Sequence, residues 1–122
     1  MLYGGESSSN LIAPGTEEGP LMIQISYQVR PECVDDFLHA ARAVRLSCRR
    51  NGAIFWRMFR EIDTPNLYVE RYMLDSWMDH TRHLDRTTKA DRAVRERLAE
   101  FLVMGTTPQV RHQFVESVPG ES

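Results

Sequence analysis

Lysine is almost missing from this chain. Of its 15 basic residues, 14 are arginine and only Lys89 is lysine. Genome composition accounts for such a bias. The functional alternative is anion recognition, since the guanidinium fork matches carboxylate and phosphate. Excess charge is also missing. A formal net charge of −2 gives no global field that would draw in nucleic acid or an anionic membrane. No apolar run approaches the ~20 residues of a membrane span, and the N-terminus lacks a basic start followed by an apolar core, so no signal peptide is read. Cysteine is scarce. Cys33 and Cys48 fall in one predicted helix, where a rise of about 1.5 Å per residue puts them roughly 22 Å apart, too far to bridge. Reduced thiols point to a cytoplasmic protein. Neither has the Cys or His neighbours of a zinc site, and no nucleophile elbow, phosphate-cradling glycine loop or nucleotide fingerprint occurs. The reading is therefore no metal and no cofactor.

What is present is one domain's worth of ordinary globular sequence: 122 residues, 42% hydrophobic and 26% charged, enough for one core and not for two. Residues 1–20 read as a tail, disordered or docked on a partner, because Gly4-Gly5, Ser7 to Ser9 and Pro14-Gly15 break any regular element. The domain proper is placed at 21–116, and 117–122 read as a second, short tail.

Leu21, Ile23, Ile25, Tyr27 and Val29 alternate with polar residues, the period of a strand with one apolar face. Pro31 opens a helix whose stripe is Val34, Phe37, Leu38, Ala41, Val44 and Cys48, and Asn51-Gly52 closes it. A second strand is predicted over about 53–62, with Ile54, Trp56, Met58 and Ile62 on one side and Phe55, Arg57 and Phe59 on the other. After the turn Asp63 to Asn66, a third strand covers about 67–74. Helical sequence follows from 76 to about 104, in two pieces. Ser76 with Asp79, and Thr88 with Asp91, are variants of the capping box. Trp77, Thr81 and Leu84 form the first predicted stripe, and Ala90, Val94, Leu98, Phe101 and Leu102 the second. Gly105 ends the helix, and Val110, His112 and Phe114 make a fourth strand.

The order β-α-β-β-α-β is the ferredoxin-like plan, an α+β fold with an antiparallel sheet and its helices on one face. Strands two and three carry large side chains on both faces. The helices hide one set, and the other needs a second sheet. A homodimer through the sheet face follows, with either Phe55, Arg57 and Phe59 or Ile54, Trp56 and Met58 against the partner.

This plan, together with the junction Ser76 to Leu84, resembles the antibiotic-biosynthesis-monooxygenase-like superfamily of dimeric α/β barrels. The run Gly19 to Glu32, then Val69-Glu70, Trp77 with His80 and Arg82, Asp85-Arg86 with Thr88 and Asp91-Arg92, and Val110 to His112 resemble more closely the soluble C-terminal domain of a group of major-facilitator permeases. The resemblance covers about residues 19–115. It implies a pocket between sheet and helices, an aromatic small molecule as ligand and a permease as partner. Superfamily enzymes oxidise electron-rich polycyclic substrates or haem without metal or flavin. The haem-degrading members resemble each other in an Asn, Trp and His set, but Gln24, Ser26 and Gln28 occupy the first strand here, which argues against that role.

The candidate ligand-binding residues are Trp56, Glu70, Tyr72, Trp77, His80, His83 and His112. Glu70, in a strand between Tyr68 and Tyr72, is the best candidate for a buried carboxylate, and such a group needs a partner. Arg60, Arg82, Arg111 and His80 are the candidates. His80 reads either as a proton shuttle near Glu70 or as a structural hydrogen-bonding residue; Trp56 and Trp77 read either as core or as pocket wall. Two functions stay open: a non-catalytic ligand-sensing or assembly domain related to permease tails, and a cofactor-independent monooxygenase acting on a phenolic or polycyclic substrate.

Overall fold

The alternating run at the start of the domain becomes an eight-residue strand, and the pairing of that strand organises everything else. The computed structural model describes residues 15 and 17–120; most of the predicted N-terminal tail lies outside them. The elements are β1 (Leu21–Gln28), α1 (Val34–Arg50) entered through a 3₁₀ turn at Pro31–Cys33, β2 (Phe55–Arg60), β3 (Leu67–Leu74), α2 (Trp77–Arg86), α3 (Lys89–Ala99) and β4 (Gln109–Phe114). The sheet is antiparallel throughout, in the order β2-β3-β1-β4. This is the ferredoxin-like α+β fold.

β1 lies centrally, with Leu21, Ile23, Ile25 and Tyr27 buried and the residues between them less so. Ile23 stands opposite Tyr72 and Ile25 opposite Glu70 on β3; on its other side Ile23 stands opposite His112 and Ile25 opposite Val110 on β4. Residues opposite one another share a face of the sheet, so this register puts Glu70, Tyr72 and His112 on the helix side. The core gathers Phe37, Ala41, Val44 and Cys48 of α1, Leu98 of α3, and Phe101 and Leu102 just beyond it.

β2 is shorter than predicted. Trp56 and Met58 pack on the core, but Ile54 and Ile62 fall outside the strand and are exposed. The face turned away from the helices therefore carries Phe55, Arg57 and Phe59, joined by Val69, Arg71 and Met73 of β3 through the pairing of the two strands. Arg57 lies over the ring of Phe55 and Arg71 over that of Phe59.

Residues 18–20 are already tied to the domain. The Glu18 carbonyl accepts from the Trp77 N–H at 2.8 Å, and the Pro20 carbonyl from the Val115 N–H at 2.9 Å. A Cβ on Gly19 would stand 2.1 Å from the carbonyl oxygen of Asp75, so only glycine lets the chain pass here.

The two caps form as the sequence predicts. Ser76 accepts from the Asp79 N–H, and Thr88 with Asp91 makes the complete reciprocal box. The faces of the helices differ from prediction. α2 buries His80 and His83, while Thr81 and Leu84 are exposed. The aromatic groups beneath α2 receive imidazole rings instead of aliphatic side chains. On α3 Ala90 is exposed and Asp91 is buried, because Asp91 answers donors on α1.

Candidate ligand-binding site

Glu70 is completely buried and holds the polar centre of the domain. Its Oε1 accepts from Tyr27 Oη at 2.7 Å and from Arg95 Nη1 at 2.8 Å; its Oε2 accepts from Trp56 Nε1 at 2.8 Å and from Arg95 Nη2 at 2.9 Å. Burial pushes the Glu70 carboxyl up, but the Arg95 charge and the hydrogen bonds from Arg95, Tyr27 and Trp56 outweigh it, so the group sits below the usual carboxylate range. Arg95 also donates to Tyr27 Oη at 3.0 Å and Cys48 Sγ at 3.2 Å, and its guanidinium lies over the Tyr72 ring.

The partner of Glu70 is thus Arg95, a residue outside the four predicted. Arg82 pairs with Asp79 on its own helix, and Arg60 and Arg111 are exposed. A signal for Arg95 does exist in the chain. With Asp91 and Leu98 it occupies positions at helical spacing on the inner side of α3, where a charged residue has no reason to stand unless a buried partner meets it.

Asp91 is a second buried carboxylate. Its Oδ1 accepts from Ser47 at 2.8 Å and Arg50 at 2.6 Å, and its Oδ2 from Asn51 Nδ2 at 3.0 Å and the Thr88 N–H at 3.0 Å. The bond from the Thr88 backbone leads the effects that hold this carboxyl well below its ordinary range; burial opposes them, and Asn51, Ser47 and Arg50 reinforce them.

Between these two anchors the helices stand off the sheet. A cavity of about 460 Å³ opens there, walled by Ile25, Leu84, Ala99, Pro108 and Val110, with Tyr27, Cys48, His83, Asp91 and Arg95 at its polar end. Leu84 is exposed because it faces this space. Burial, followed by the opposed influences of Arg95 and Glu70, pushes the Cys48 thiol up to about 12. It is therefore an inert thiol.

The seven predicted site residues fall into two groups. Trp56, Glu70, Tyr72 and His83 gather around Arg95, and of these only His83 lines the cavity. Its ring stacks on Tyr72 with centroids 5.4 Å apart. Trp77, His80 and His112 form a separate aromatic cluster towards β4, joined by Phe114. His80 is buried within that cluster and His112 is exposed. The predicted closeness of His80 to Glu70 gives way to tilted and edge-on ring contacts with Trp77 and His112. Tyr27, Arg95, Asn51 and Asp91 were not among the predicted residues. Among the described residues no group of three or more His, Cys, Asp and Glu is placed to hold a metal ion.

The imidazoles imply acid lability. Burial, with His112 and His83 beside it, pulls His80 down to about 4. Burial also lowers His83, against the hydrogen bond to the Asn51 carbonyl and with help from Arg95. Both rings are neutral in the folded state, whereas an unfolded histidine titrates near ~6.5. The unfolded chain therefore binds more protons than the native one below that pH, and stability falls as the pH drops from ~6.5 towards about 4. Glu70 and Asp91, both depressed, extend the loss at lower pH. Thermal melts are expected to be flat above pH ~7 and to decline below it, with His80 contributing on the order of 3 kcal/mol across the window. The decline should be shallower in His80→Phe. A melting temperature constant from pH 7 to 4.5 would rule the effect out.

With this geometry the domain belongs to the class of ferredoxin-like α+β folds seen in antibiotic biosynthesis monooxygenase-like proteins. A protein provisionally described as an antibiotic biosynthesis monooxygenase from Caulobacter crescentus superposes with a TM-score of 0.69 at 12% identity, covering 84% of this chain and 94% of that one. A variant of SnoaB, a cofactor-independent oxygenase from Streptomyces nogalater, gives 0.65 at 17%, covering 83% and 97%. A protein from Bordetella bronchiseptica with the same provisional description as the first gives 0.64 at 22%, covering 81% and 98%. These likenesses establish the fold. No curated protein matches the chain. Residues 9–119 match the family described as Transmembrane secretion effector, and the chain belongs to that family. Among the described residues no helix is long and apolar enough to cross a membrane.

Proposed function

We propose that this chain is a small-molecule-binding domain that works as a homodimer alongside a permease on the cytoplasmic side. The observation that carries this reading is the cavity of about 460 Å³ between sheet and helices. It falls within the range of roughly 300–1,000 Å³ that ligand sites occupy, and it combines apolar walls with one polar end, the pattern of a site for an aromatic molecule. Family membership supports the permease association. The outer sheet face, with Phe55, Phe59, Val69 and Met73 around two arginines, supports pairing of two sheets. Titration with 1-naphthol is expected to saturate at one equivalent per chain, and Ala99→Trp, which fills the cavity, is expected to abolish binding while the fold persists. Absence of binding to the wild type, or binding unaltered in the variant, would reject the reading. Light scattering should give two chains per particle, and a monomer at micromolar concentration would reject the dimer.

The likeness to a cofactor-independent oxygenase supports a second reading, oxidation of a bound phenolic or polycyclic compound by oxygen. In the first reading Arg95 and Glu70 neutralise each other and are structural. Anthrone under oxygen separates the two: anthraquinone formed above the protein-free rate favours the second, and its absence with anthrone bound favours the first.

A further inference from the structure

Hydrogen bonding at the polar end of the cavity is nearly exhausted from within. All four terminal N–H positions of Arg95 are engaged, by Glu70 twice, Tyr27 and Cys48. The Tyr27 hydroxyl donates to Glu70 and accepts from Arg95. Asp91 has four donors on its two oxygens. Ser47 donates to Asp91, and Thr87 Oγ1 to the His83 carbonyl.

His83 is different. It is only 6% exposed and forms part of the cavity wall. Its Nδ1 lies 3.0 Å from the carbonyl oxygen of Asn51. A carbonyl only accepts, so Nδ1 carries the proton and Nε2 the lone pair. Nε2 makes no hydrogen bond with the described residues. The tautomer is held from behind, because Asp91 grips the Asn51 side chain whose backbone carbonyl holds the ring.

We propose that His83 Nε2 is the specificity-determining acceptor of the cavity, and that it selects a neutral ligand with an O–H or N–H donor over an anion or an ether. This rests on the reading of the cavity as a ligand site. It reverses what the arginine-rich composition implies, because Arg95 has no terminal N–H left for a ligand anion and Arg92 lies exposed at the rim.

The test compares three probes of one size on the full chain: 1-naphthol, 1-methoxynaphthalene and 1-naphthoate, at neutral pH. 1-Naphthol is expected to bind about tenfold tighter than its methyl ether, the order of one buried hydrogen bond, and 1-naphthoate no tighter than the ether. The ¹⁵N resonance of His83 Nε2 should shift with 1-naphthol and not with the ether. In His83→Phe, which keeps a ring against Tyr72, the preference should vanish while the ether still binds. The probe comparison and the resonance are read on the wild type, so they stand even if that variant fails to fold. Equal affinity for 1-naphthol and the ether would overturn the acceptor role and leave the cavity reading intact. Tightest binding of 1-naphthoate would overturn it in favour of an anion site. Failure of all three probes to bind would reject the cavity reading, and the acceptor role with it.

Discussion

Arg95→Met is expected to destabilise the domain by about 3 kcal/mol, because it leaves the fully buried Glu70 charge with only neutral donors. The opposite truncation is milder. Arg95 keeps a quarter of its side chain exposed, so after Glu70→Gln its charge can reach water, and about 1–2 kcal/mol is expected. The double variant Glu70→Gln/Arg95→Met should lose less than Arg95→Met alone, since no buried charge is stranded. Urea denaturation of the four proteins measures all of this. Additive losses would show that the pair is not coupled. Because Glu70 lies behind Arg95 and outside the cavity wall, Glu70→Gln should leave 1-naphthol affinity almost unaltered. A variant that folds normally yet loses binding would place Glu70 in the site itself.

Asp91→Ala carries the other large effect. It removes one half of a capping box and the common acceptor for Ser47, Arg50 and Asn51. A helix cap is worth about 1 kcal/mol, and the stranded buried donors add to it, so about 2–4 kcal/mol is expected. Asp91→Asn, which keeps one acceptor oxygen, should fall between this variant and the wild type. The loss should be local as well as global. Amide exchange should quicken at the start of α3, and 1-naphthol should bind more weakly, because Asn51 no longer holds His83 in place. A loss below about 0.5 kcal/mol, the range of ordinary surface substitutions, would show that Asp91 is not the tie between α1 and α3.

Much of the architecture was legible in short stretches. The alternation from Leu21 to Tyr27, the pair Ser76 and Asp79, and the box at Thr88 and Asp91 are local patterns, and each formed where the sequence placed it. The inner face of α2 was misjudged. The spacing of Trp77, Thr81 and Leu84 suits an apolar stripe, yet the rings that meet His80 and His83 are Tyr72, His112 and the helix's own Trp77. Leu84 was then free to line the cavity. β2 was overextended for a related reason: Ile54 and Ile62 continue its alternation, but the pairing with β3 ends at Phe55 and Arg60.

The sequence by itself determined the order βαββαβ, the capped starts of α2 and α3 and the presence of a carboxylate that had to be paired. Those properties follow from backbone periodicity and capping, which act within a few residues. It did not determine the end of α3, which stops at Ala99 and not at Gly105, because Leu102 bridges to Val29 beside the sheet. Only the tertiary structure decided that Arg95 meets Glu70 across 25 residues, that the histidines divide between two clusters, and that His83 alone of the seven predicted site residues lines the cavity. The strand register of β1 against β3 and β4 and the seating of α3 bring those groups together. That placement is chosen by packing of the whole core; the helical spacing of Asp91, Arg95 and Leu98 marks the inner side of α3 but does not say which group Arg95 meets there.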